Sequence, residues 1–459
     1  MNCKQNIKYL FSHNSVAVIG ATPISNKVSN VIMRNLIDGK YAGRVYPVNP
    51  KYDEVLGLKC YKSVLEIDGN VECAIIATPA EFVSAIVEQC GKKKIKGVIV
   101  ISGGFGEVGN RKLEEELKEV AERYGIALLG PNCLGAFDPY TKIDSIFLPM
   151  YKLERPPPGE IAFVTQSGAV GSTIIDMAAH YGVGISKFIS YGNATTLNEC
   201  DYLEFLENDK ETKTIILYVE GAKQGRRLFE VMKRVNKKKP IIALKAGKYG
   251  KAIQAAKSHT GNLAGSYAAY KAAFRQSKVV EAETLEELFD FVRIFNQSLP
   301  KGNGVGIVTN GGGMGVLTSD ALEISGLTIA DFSSDTKKEL AKILPTYGSV
   351  NNPLDLIADA GADGYERALN LFITDKNIDI LCVILLTQTP PIDERIIGVL
   401  TKIKASTSKP MVVIAVGGSY TDKYRRVLEG YGVPTYGYPD SAVKALKKLV
   451  EYAEFRKKI

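Results

Sequence analysis

The stretch VTQSGAVG at residues 164–171 has a near-copy, VTNGGGMG, at residues 308–315. In each copy a short apolar run leads through a glycine-rich turn into an amphipathic stretch. That order is typical of a buried strand that feeds the first turn of a helix. The repeat therefore predicts two duplicated domains, and the positions that differ between the copies are where we expect chemistry that only one copy performs.

Length and composition limit the class of protein. The 459 residues exceed one ordinary hydrophobic core, so about two to four domains are expected. With 45% apolar and 24% charged residues the chain is typical of globular proteins, and no apolar run is long enough to cross a membrane. The seven cysteines form no CxxC pair, so we expect no metal site. The first residues lack signal-peptide features, and we expect a cytoplasmic protein.

The positive net charge points to small anionic ligands. The charge is +8, but no basic block is interleaved with aromatic residues. A mild excess of this kind suits phosphates, and the sequence patterns of nucleic-acid binding do not occur. We therefore expect no nucleic-acid partner.

Two clusters of proline and glycine, at 154–160 and 298–304, predict linkers. They divide the chain into domains at 1–150, 155–299 and 301–459. The first alternates apolar runs such as VAVIG and GVIVIS with amphipathic stretches, which predicts a Rossmann-like parallel sheet. The other two are predicted to be flavodoxin-like. The expected fold class is thus α/β, with three doubly wound parallel-sheet domains, the last two being duplicates.

The second domain differs from the third in three places. Glu220, at the end of an apolar run, corresponds to Leu386, and Lys245 corresponds to Ala415. The second domain also has a longer segment, KYGKAIQAAKSHTGNLAGSYAAYKAAF, that contains His259. A histidine among lysines, small hydroxyl residues and glycines fits a side chain that accepts a phosphoryl group. A general base and a solvated loop histidine are the alternatives.

A phosphate site is predicted in the second domain. A helix that begins at Ser167 and Gly168 would present backbone N–H groups and the positive end of its dipole. Glu220 would lie at the strand end where doubly wound sheets bind ligands, and from there it could orient His259. An exposed strand-end acid is the alternative for Glu220. The candidate phosphate-binding residues are Gln166, Ser167, Gly168 and Gly261. The third domain keeps the glycine turn without these partners and is predicted to be non-catalytic.

The first domain is predicted to bind a phosphate-rich nucleotide. Its first turn, VAVIGATPISNKVSN, is not the GxGxxG of dinucleotide-binding domains. The second predicted strand leads to Lys51 rather than to an acidic residue, which favours an extra phosphate, as on NADP or coenzyme A. Turns that serve packing alone are the alternative. The candidate ligand-binding residues are Gly20, Ala21, Thr22, Pro50, Lys51, Thr78, Pro79, Ser102 and Asn132.

These motifs together resemble a known family. A Rossmann-like unit followed by QSGAVG, YVEG and KSHTG is similar to the α subunit of succinyl-CoA synthetase. With the third domain and its NNPLDL motif, essentially the whole chain resembles the α subunits of ADP-forming acetyl-CoA synthetases. The resemblance implies that acyl-CoA, phosphate and ADP interconvert with acid, CoA and ATP through an acyl phosphate and a phosphohistidine. His259 matches the phosphorylated histidine and Glu220 the acid that orients it.

The resemblance also implies partners. Coenzyme A would be a substrate of this chain, and ADP or ATP with Mg²⁺ would bind a separate ATP-grasp β subunit in an α2β2 assembly. The third domain makes succinate less expected, and acetate, branched acids and aryl acids remain open. The alternatives are a succinyl-CoA-synthetase-like ligase for another acid, an NADP-dependent oxidoreductase and a non-catalytic CoA-sensing protein.

Overall fold

The computed structural model describes residues 3–253, 266–345 and 348–459, and it confirms the α/β class with parallel sheets. The first sheet has the strand order β2-β1-β5-β6-β7, and β3 and β4 form a separate hairpin. Its strands are β1 (Ser15–Ile19), β2 (Arg44–Val48), β3 (Glu54–Val55), β4 (Leu58–Lys59), β5 (Cys73–Ile76), β6 (Gly97–Val100) and β7 (Ala127–Leu129). The accompanying helices are α1 (Val28–Asp38), α2 (Ala80–Lys92) and α3 (Arg111–Tyr124), with 3-10 helices at Cys3–Leu10, Val64–Glu66 and Gly106–Val108.

The first sheet is Rossmann-like. Strands β1, β5, β6 and β7 are buried at every residue, as expected of a parallel sheet covered on both faces. A parallel bridge between Val48 and Tyr61 extends the sheet beyond β2. With that bridge in third place, the strand order follows the 3-2-1-4-5-6 order of the Rossmann fold.

The second sheet has the order β14-β13-β12-β10-β11-β8-β9. Its strands are β8 (Gly135–Asp138), β9 (Ile143–Asp144), β10 (Pro158–Thr165), β11 (Ile185–Ser190), β12 (Thr214–Val219), β13 (Ile241–Lys245) and β14 (Val280–Ala282). Its helices are α4 (Gly168–His180), α5 (Glu199–Asn208), α6 (Gly225–Val235) and α7 (Tyr267–Ser277). From β10 onward the strands follow the flavodoxin order 2-1-3-4-5. Strands β8 and β9, which the sequence did not predict, add to the β11 edge in antiparallel orientation.

The third sheet repeats the order 2-1-3-4-5 as β16-β15-β18-β19-β20, with β17 pairing with β15. Its strands are β15 (Gly304–Thr309), β16 (Thr328–Ile329), β17 (Leu354–Asp355), β18 (Ile380–Ile384), β19 (Met411–Ile414) and β20 (Thr435–Tyr436). The remaining helices are α8 (Leu285–Phe295), α9 (Gly312–Ser325), α10 (Ser334–Ile343), α11 (Ala362–Thr374), α12 (Arg395–Ser406), α13 (Ser419–Gly430) and α14 (Pro439–Lys457). None of the described helices is both long and apolar enough to span a membrane.

The chain divides into two compact units, one of Met1–His180 with Gly184–Glu281 and the other of Tyr181–Val183 with Ala282–Ile459. Helix α8 belongs to the latter, where Arg293 lies 3.4 Å from the carboxylate of Glu429. The first and second sheets share one unit. The domain boundaries predicted from sequence stay a proposal.

Close packing of α4 on the second sheet positions its first turn. A Cβ added at Gly171 would lie 2.7 Å from Phe188 Cζ and 3.0 Å from Thr165 Cγ2. Only glycine lets the helix approach β10 and β11 this closely. The start of α4 is therefore held against the carboxyl end of β10.

Candidate functional site

The turn between β10 and α4 is tied to the end of β12 by a buried glutamine. Gln166 Oε1 accepts hydrogen bonds from the backbone N–H groups of Glu220, at 2.8 Å, and Gly221, at 3.1 Å. Strands β10 and β12 are the neighbours between which the strand order reverses, the place where doubly wound sheets bind ligands. Gln166 thus brings two predicted site elements, the glycine turn and Glu220, together.

Helix α4 begins at Gly168 in a fixed geometry. The backbone N–H of Ser167 donates to Thr165 Oγ1 at 3.2 Å, and that hydroxyl in turn donates to the Ser167 carbonyl at 2.9 Å. A Cβ added at Gly168 would meet no atom nearer than Leu134 Cβ, at 3.4 Å. In the first turn the N–H of Val170 donates to Ser167 Oγ at 3.4 Å, and Ser167, Gly168 and Ala169 line a cavity, so the positive dipole end of α4 has space before it, as an anion site requires.

The Glu220 backbone is fixed on both sides. Gln166 accepts from its N–H, and Lys245 Nζ donates to its carbonyl at 2.7 Å. The side chain is buried, with only 6% of the residue exposed, and its Oε1 accepts from the Tyr218 hydroxyl at 3.4 Å. Burial and the Glu220 charge raise the pKa of Tyr218 above its usual value, which keeps the phenol a donor. The predicted orienting acid is thus inside the unit and is not an exposed strand-end acid.

Lys245 fixes the backbone at Glu220, where β12 ends. Its ammonium group is buried, also donates to the Ala246 carbonyl, and lies 5.0 Å from the centre of the Tyr270 ring. Burial lowers the pKa of Lys245, while the Glu220 charge opposes that shift. The sequence marked Lys245 as different from Ala415 without giving it a role. Its contacts give it one in positioning the Glu220 backbone.

A cavity of about 380 Å³ opens at the start of α4. Gln166, Ser167 and Gly168 line it, and so does Asn132, which follows β7 of the first sheet. The cavity therefore joins candidates for phosphate binding with one candidate for nucleotide binding.

The predicted nucleotide-binding residues lie along the carboxyl edge of the first sheet. Gly20 follows β1 with φ +90°, and a Cβ there would lie 2.7 Å from the Ala77 carbonyl oxygen, so the turn needs glycine. The side chain of Asn49 donates to the Ala21 carbonyl at 2.7 Å, which links the turns after β1 and β2. Gly20 and Ala77 follow β1 and β5, the neighbouring strands between which the strand order of the first sheet reverses.

The remaining candidates continue along the same edge. Thr22 is buried, and its hydroxyl donates to the Tyr52 hydroxyl at 3.4 Å. The Ser102 hydroxyl donates to the Thr78 carbonyl, and the Asn132 N–H donates to the Ser102 carbonyl at 2.9 Å. The exposed members of the set are Pro50, Lys51, Pro79 and Asn132. The structure therefore brings all nine predicted residues to one edge.

The candidate nucleophile and Gly261 lie outside the described residues, and so does the rest of 254–265. The other two histidines are elsewhere. His13 is half-buried against Tyr41, 2.7 Å from its hydroxyl, and desolvation lowers the pKa of His13 to about 4. His180 ends the 13-residue helix α4, about 18 Å from the turn. Neither described histidine can therefore take the place of His259 at the turn.

The second copy of the turn is filled by the chain itself. Asn310 occupies the place of Gln166 and accepts from the Leu386 N–H at 2.8 Å. A Cβ added at Gly311 would lie 2.2 Å from Leu386 Cδ1, and one at Gly312 would lie 2.6 Å from Asp355 Oδ2. A leucine and a carboxylate thus lie against Gly311 and Gly312 at the start of α9, and the carboxylate would repel an anion there.

Asn193, which follows β11, is a site residue that the sequence reasoning missed. Its side-chain oxygen accepts from Asn132 at 3.3 Å, and its amide donates to Glu107 at 2.6 Å and to Glu114 at 3.0 Å. Burial favours a raised pKa for Glu107, but hydrogen bonds from Asn193 and from backbone N–H groups outweigh it and hold the pKa below its usual value. The signal available was its place in YGN, directly after an apolar run.

A second buried acid lies in the same compact unit as Glu220. Glu199 begins α5 with 1% of its surface exposed, and among the described residues its Oε1 has no hydrogen-bond partner. Burial raises the pKa of Glu199 to about 7, its own backbone N–H opposes that rise, and the charge of Asp201 adds to it. Burial, then the charges of neighbouring groups with that of Glu199 the largest, raises the pKa of Tyr191 well above its usual value.

Comparison with known proteins gives a consistent family. A CoA binding domain matches residues 14–138, a succinyl-CoA ligase like flavodoxin domain matches 158–295, and a ligase-CoA domain matches 305–455. The chain is 42% identical to the acetate–CoA ligase (ADP-forming) II subunit alpha of Pyrococcus furiosus, over 98% of each chain.

Two further relatives extend the comparison. The chain is 43% identical to acetate–CoA ligase (ADP-forming) I of Archaeoglobus fulgidus, of which it covers 64%. A structure of acetyl-coenzyme A synthetase 1 of Ca. Korarchaeum cryptofilum in complex with phosphate and ADP matches with a TM-score of 0.92 and 34% identity, over 98% of this chain and 97% of that one. The chain therefore belongs to the family of ADP-forming acetate–CoA ligase α subunits.

Proposed function

We propose that this chain is the catalytic α subunit of an ADP-forming acyl-CoA synthetase that acts on acetyl-CoA. The reaction converts acyl-CoA, phosphate and ADP into acid, CoA and ATP, and it is reversible. The observation that carries the proposal is the meeting of Glu220 with the start of α4, beside a cavity that reaches the first sheet. Both relatives named as acetate–CoA ligases and the structural relative support it.

The first step forms an acyl phosphate. A phosphate oxygen attacks the thioester carbonyl, the C–S bond breaks, and CoA leaves as a thiolate that takes up a proton. The positive dipole end of α4, at Ser167 and Gly168, would hold the phosphate in place for this attack. Gln166 serves this step indirectly, because it fixes the turn to β12.

The second step transfers the phosphoryl group to the chain. An imidazole nitrogen of His259 attacks phosphorus, the bond from phosphorus to the carboxyl oxygen breaks, and the acid leaves as a carboxylate. Glu220 would accept a hydrogen bond from the other imidazole nitrogen, which fixes the tautomer that can attack. The phosphohistidine then passes its phosphoryl group to ADP, so the acyl phosphate need not cross water.

The proposal assigns CoA to the edge of the first sheet. Gly20, Ala21 and Thr22 would contact its phosphates through the turn, and Lys51 would pair with an additional phosphate. The other candidates for this role are Pro50, Thr78, Pro79, Ser102 and Asn132.

The nucleotide site is assigned to a partner chain. Relatives named as α subunits imply a second subunit, whereas the Archaeoglobus relative is longer than this chain. We propose that the partner is an ATP-grasp β subunit that binds ADP or ATP with Mg²⁺, and that the assembly is α2β2. A cytoplasmic location goes with this proposal.

The test is transfer of labelled phosphate. The chain with its β subunit is incubated with acetyl-CoA and radiolabelled phosphate, and the protein is examined for acid-labile, alkali-stable label. We expect label on the wild type, none on His259→Ala, and undiminished label on His180→Ala, the control for loss of a histidine at the far end of α4. Glu220→Gln is expected to slow labelling about 100-fold.

Each outcome decides between functions. Label that persists in His259→Ala would refute the phosphohistidine. No label from acetyl-CoA, from other acyl-CoA thioesters or from ATP in the reverse direction would refute the synthetase and leave a CoA-sensing protein as the function.

A further inference from the structure

The lining of the cavity at the start of α4 combines two kinds of group. Backbone and small polar groups at Gln166, Ser167 and Gly168 belong to it, and so do the apolar residues Ile101, Leu134, Phe147 and Leu148. A pocket that offers both polar and apolar groups fits a molecule with a phosphate at one end and a hydrocarbon tail at the other. An acyl phosphate is such a molecule.

The cavity is larger than acetyl phosphate needs. Its volume is about 380 Å³, and a water molecule's share of liquid volume is about 30 Å³, so it corresponds to about a dozen water-sized groups. Acetyl phosphate has about eight non-hydrogen atoms on the same scale. Space for several further carbon atoms therefore remains in the cavity, next to its apolar lining residues.

The surroundings do not favour a second negative charge. Among the described residues that line the cavity, none carries a charged side chain. Behind Asn193 stand the carboxylates of Glu107 and Glu114, and the ammonium of Lys223 there donates to the Asn193 carbonyl at 3.1 Å and lies 3.7 Å from Glu114. A carboxylate at the far end of the acyl tail would have no cation among the described lining residues, which makes its desolvation costly.

The backbone of the segment that contains Phe147 and Leu148 is fixed by hydrogen bonds. Arg155 Nη2 donates to the Leu148 carbonyl at 2.9 Å, and the side chain of Asn35 donates to the same carbonyl at 3.0 Å. Arg155 is itself paired with Asp144 at 2.7 Å, and both side chains are less than one tenth exposed. Because this backbone is fixed, the size of the side chains at 147 and 148 determines how deep the cavity is.

We propose that Phe147 and Leu148 select the acyl group, admitting uncharged tails of several carbons and rejecting those that end in a carboxylate. The inference rests on the proposed function and adds to it the residues that set its specificity. The acid released in the phosphoryl transfer carries the acyl tail. Selection of that tail should therefore appear as a difference in kcat/KM between one acid and another.

Butyrate and succinate are a matched pair of test acids, because they have the same number of carbon atoms and differ in the terminal carboxylate. The complex with the β subunit is assayed in the direction of acyl-CoA formation with acetate, butyrate, 3-phenylpropionate and succinate. For the wild type we expect kcat/KM for butyrate to exceed that for succinate on the order of 100-fold.

Two variants change the depth of the cavity in opposite directions. Phe147→Ala should raise kcat/KM for 3-phenylpropionate relative to acetate at least about tenfold. Leu148→Phe should lower kcat/KM for butyrate relative to acetate by a similar factor. The control is Phe205→Ala, since Phe205 is a half-buried phenylalanine packed against the same core but does not line the cavity. It should lower stability without changing the acid ratios.

The outcomes distinguish failure of the proposed acyl-group selection from failure of the proposed ligase function. If the wild type uses acetate but the acid ratios of both variants stay within twofold of the wild type, Phe147 and Leu148 do not select the acyl group. Comparable use of succinate and butyrate would equally overturn the inference while leaving the ligase intact. If no acid supports turnover and no acyl-CoA labels the protein, the proposed function fails and the inference fails with it.

Discussion

Replacement of the buried acid Glu199 by glutamine should stabilise the protein by an amount that grows between about pH 4.5 and pH 7. Glu199 is 1% exposed and lacks a hydrogen-bond partner for Oε1 among the described residues. Glutamine has nearly the same shape and carries no charge. The substitution therefore removes the cost of the buried charge with little change in packing.

The size of the effect follows from the pKa. Burial raises the pKa of Glu199 from 4.5 to about 7, and each pH unit is worth about 1.4 kcal/mol, which gives about 3 kcal/mol in total. The folded state binds the proton more tightly than the unfolded state. The stabilisation by the protonated acid is thus complete below pH 4.5 and is lost as the pH rises to about 7. Glu199→Gln should gain less than about 1 kcal/mol at pH 5 and about 3 kcal/mol at pH 8.

Differential scanning calorimetry of the wild type and the variant between pH 5 and pH 8 checks this prediction. The difference in Tm should grow with pH and reach about 5 °C at pH 8. Glu81→Gln, which changes an exposed acid in the first turn of α2, is the matched control and should show no such growth. A difference that is constant with pH, or a variant less stable than the wild type at pH 8, would refute the reasoning.

Two further substitutions test the roles given to charged side chains. Lys245→Ala leaves the carbonyl groups of Glu220 and Ala246 without their buried donor, so we expect a loss of about 3 kcal/mol in stability and weaker phosphate labelling of His259. Wild-type labelling in this variant would contradict its positioning role. Asp355→Asn should lower stability by about 1 kcal/mol in thermal denaturation, because α9 loses a negative charge at its start, while labelling should be unchanged. Loss of labelling there would argue that the second glycine turn takes part in catalysis.

The sequence predicted the framework of the site because each apolar run followed by a glycine turn indicates where a buried strand ends. Glycine turns after apolar runs at 164–171 and 308–315 indicated where β10 and β15 end, and both sheets follow the flavodoxin order. The strand-end rule also located Glu220 and the candidates along the first sheet, since parallel strands bring their carboxyl ends to one edge. These predictions needed only local pattern and topology.

The walls of the cavity were beyond that reasoning. Phe147, Asn193 and Leu134 come from three segments whose meeting depends on β8 and β9 pairing beside β11, and strands of four and two residues give too short a pattern to recognise. The hydrogen bond from Lys245 to the Glu220 carbonyl could not be predicted either, because it depends on the conformation of a long side chain. The role of His259 stays a prediction, since that residue lies outside the described part of the chain.

Asp355 and Leu386 at the second glycine turn have a consequence for the stoichiometry of phosphate binding. A duplicated fold doubles every helix start, and two equal anion sites on one chain would divide the substrate between a productive and an unproductive position. Asp355 lies against Gly312 at the start of α9, so the third domain already has a negative charge where an incoming phosphate would bind. The chain should accordingly bind one phosphate, at α4, however high the phosphate concentration that its partner reaction requires.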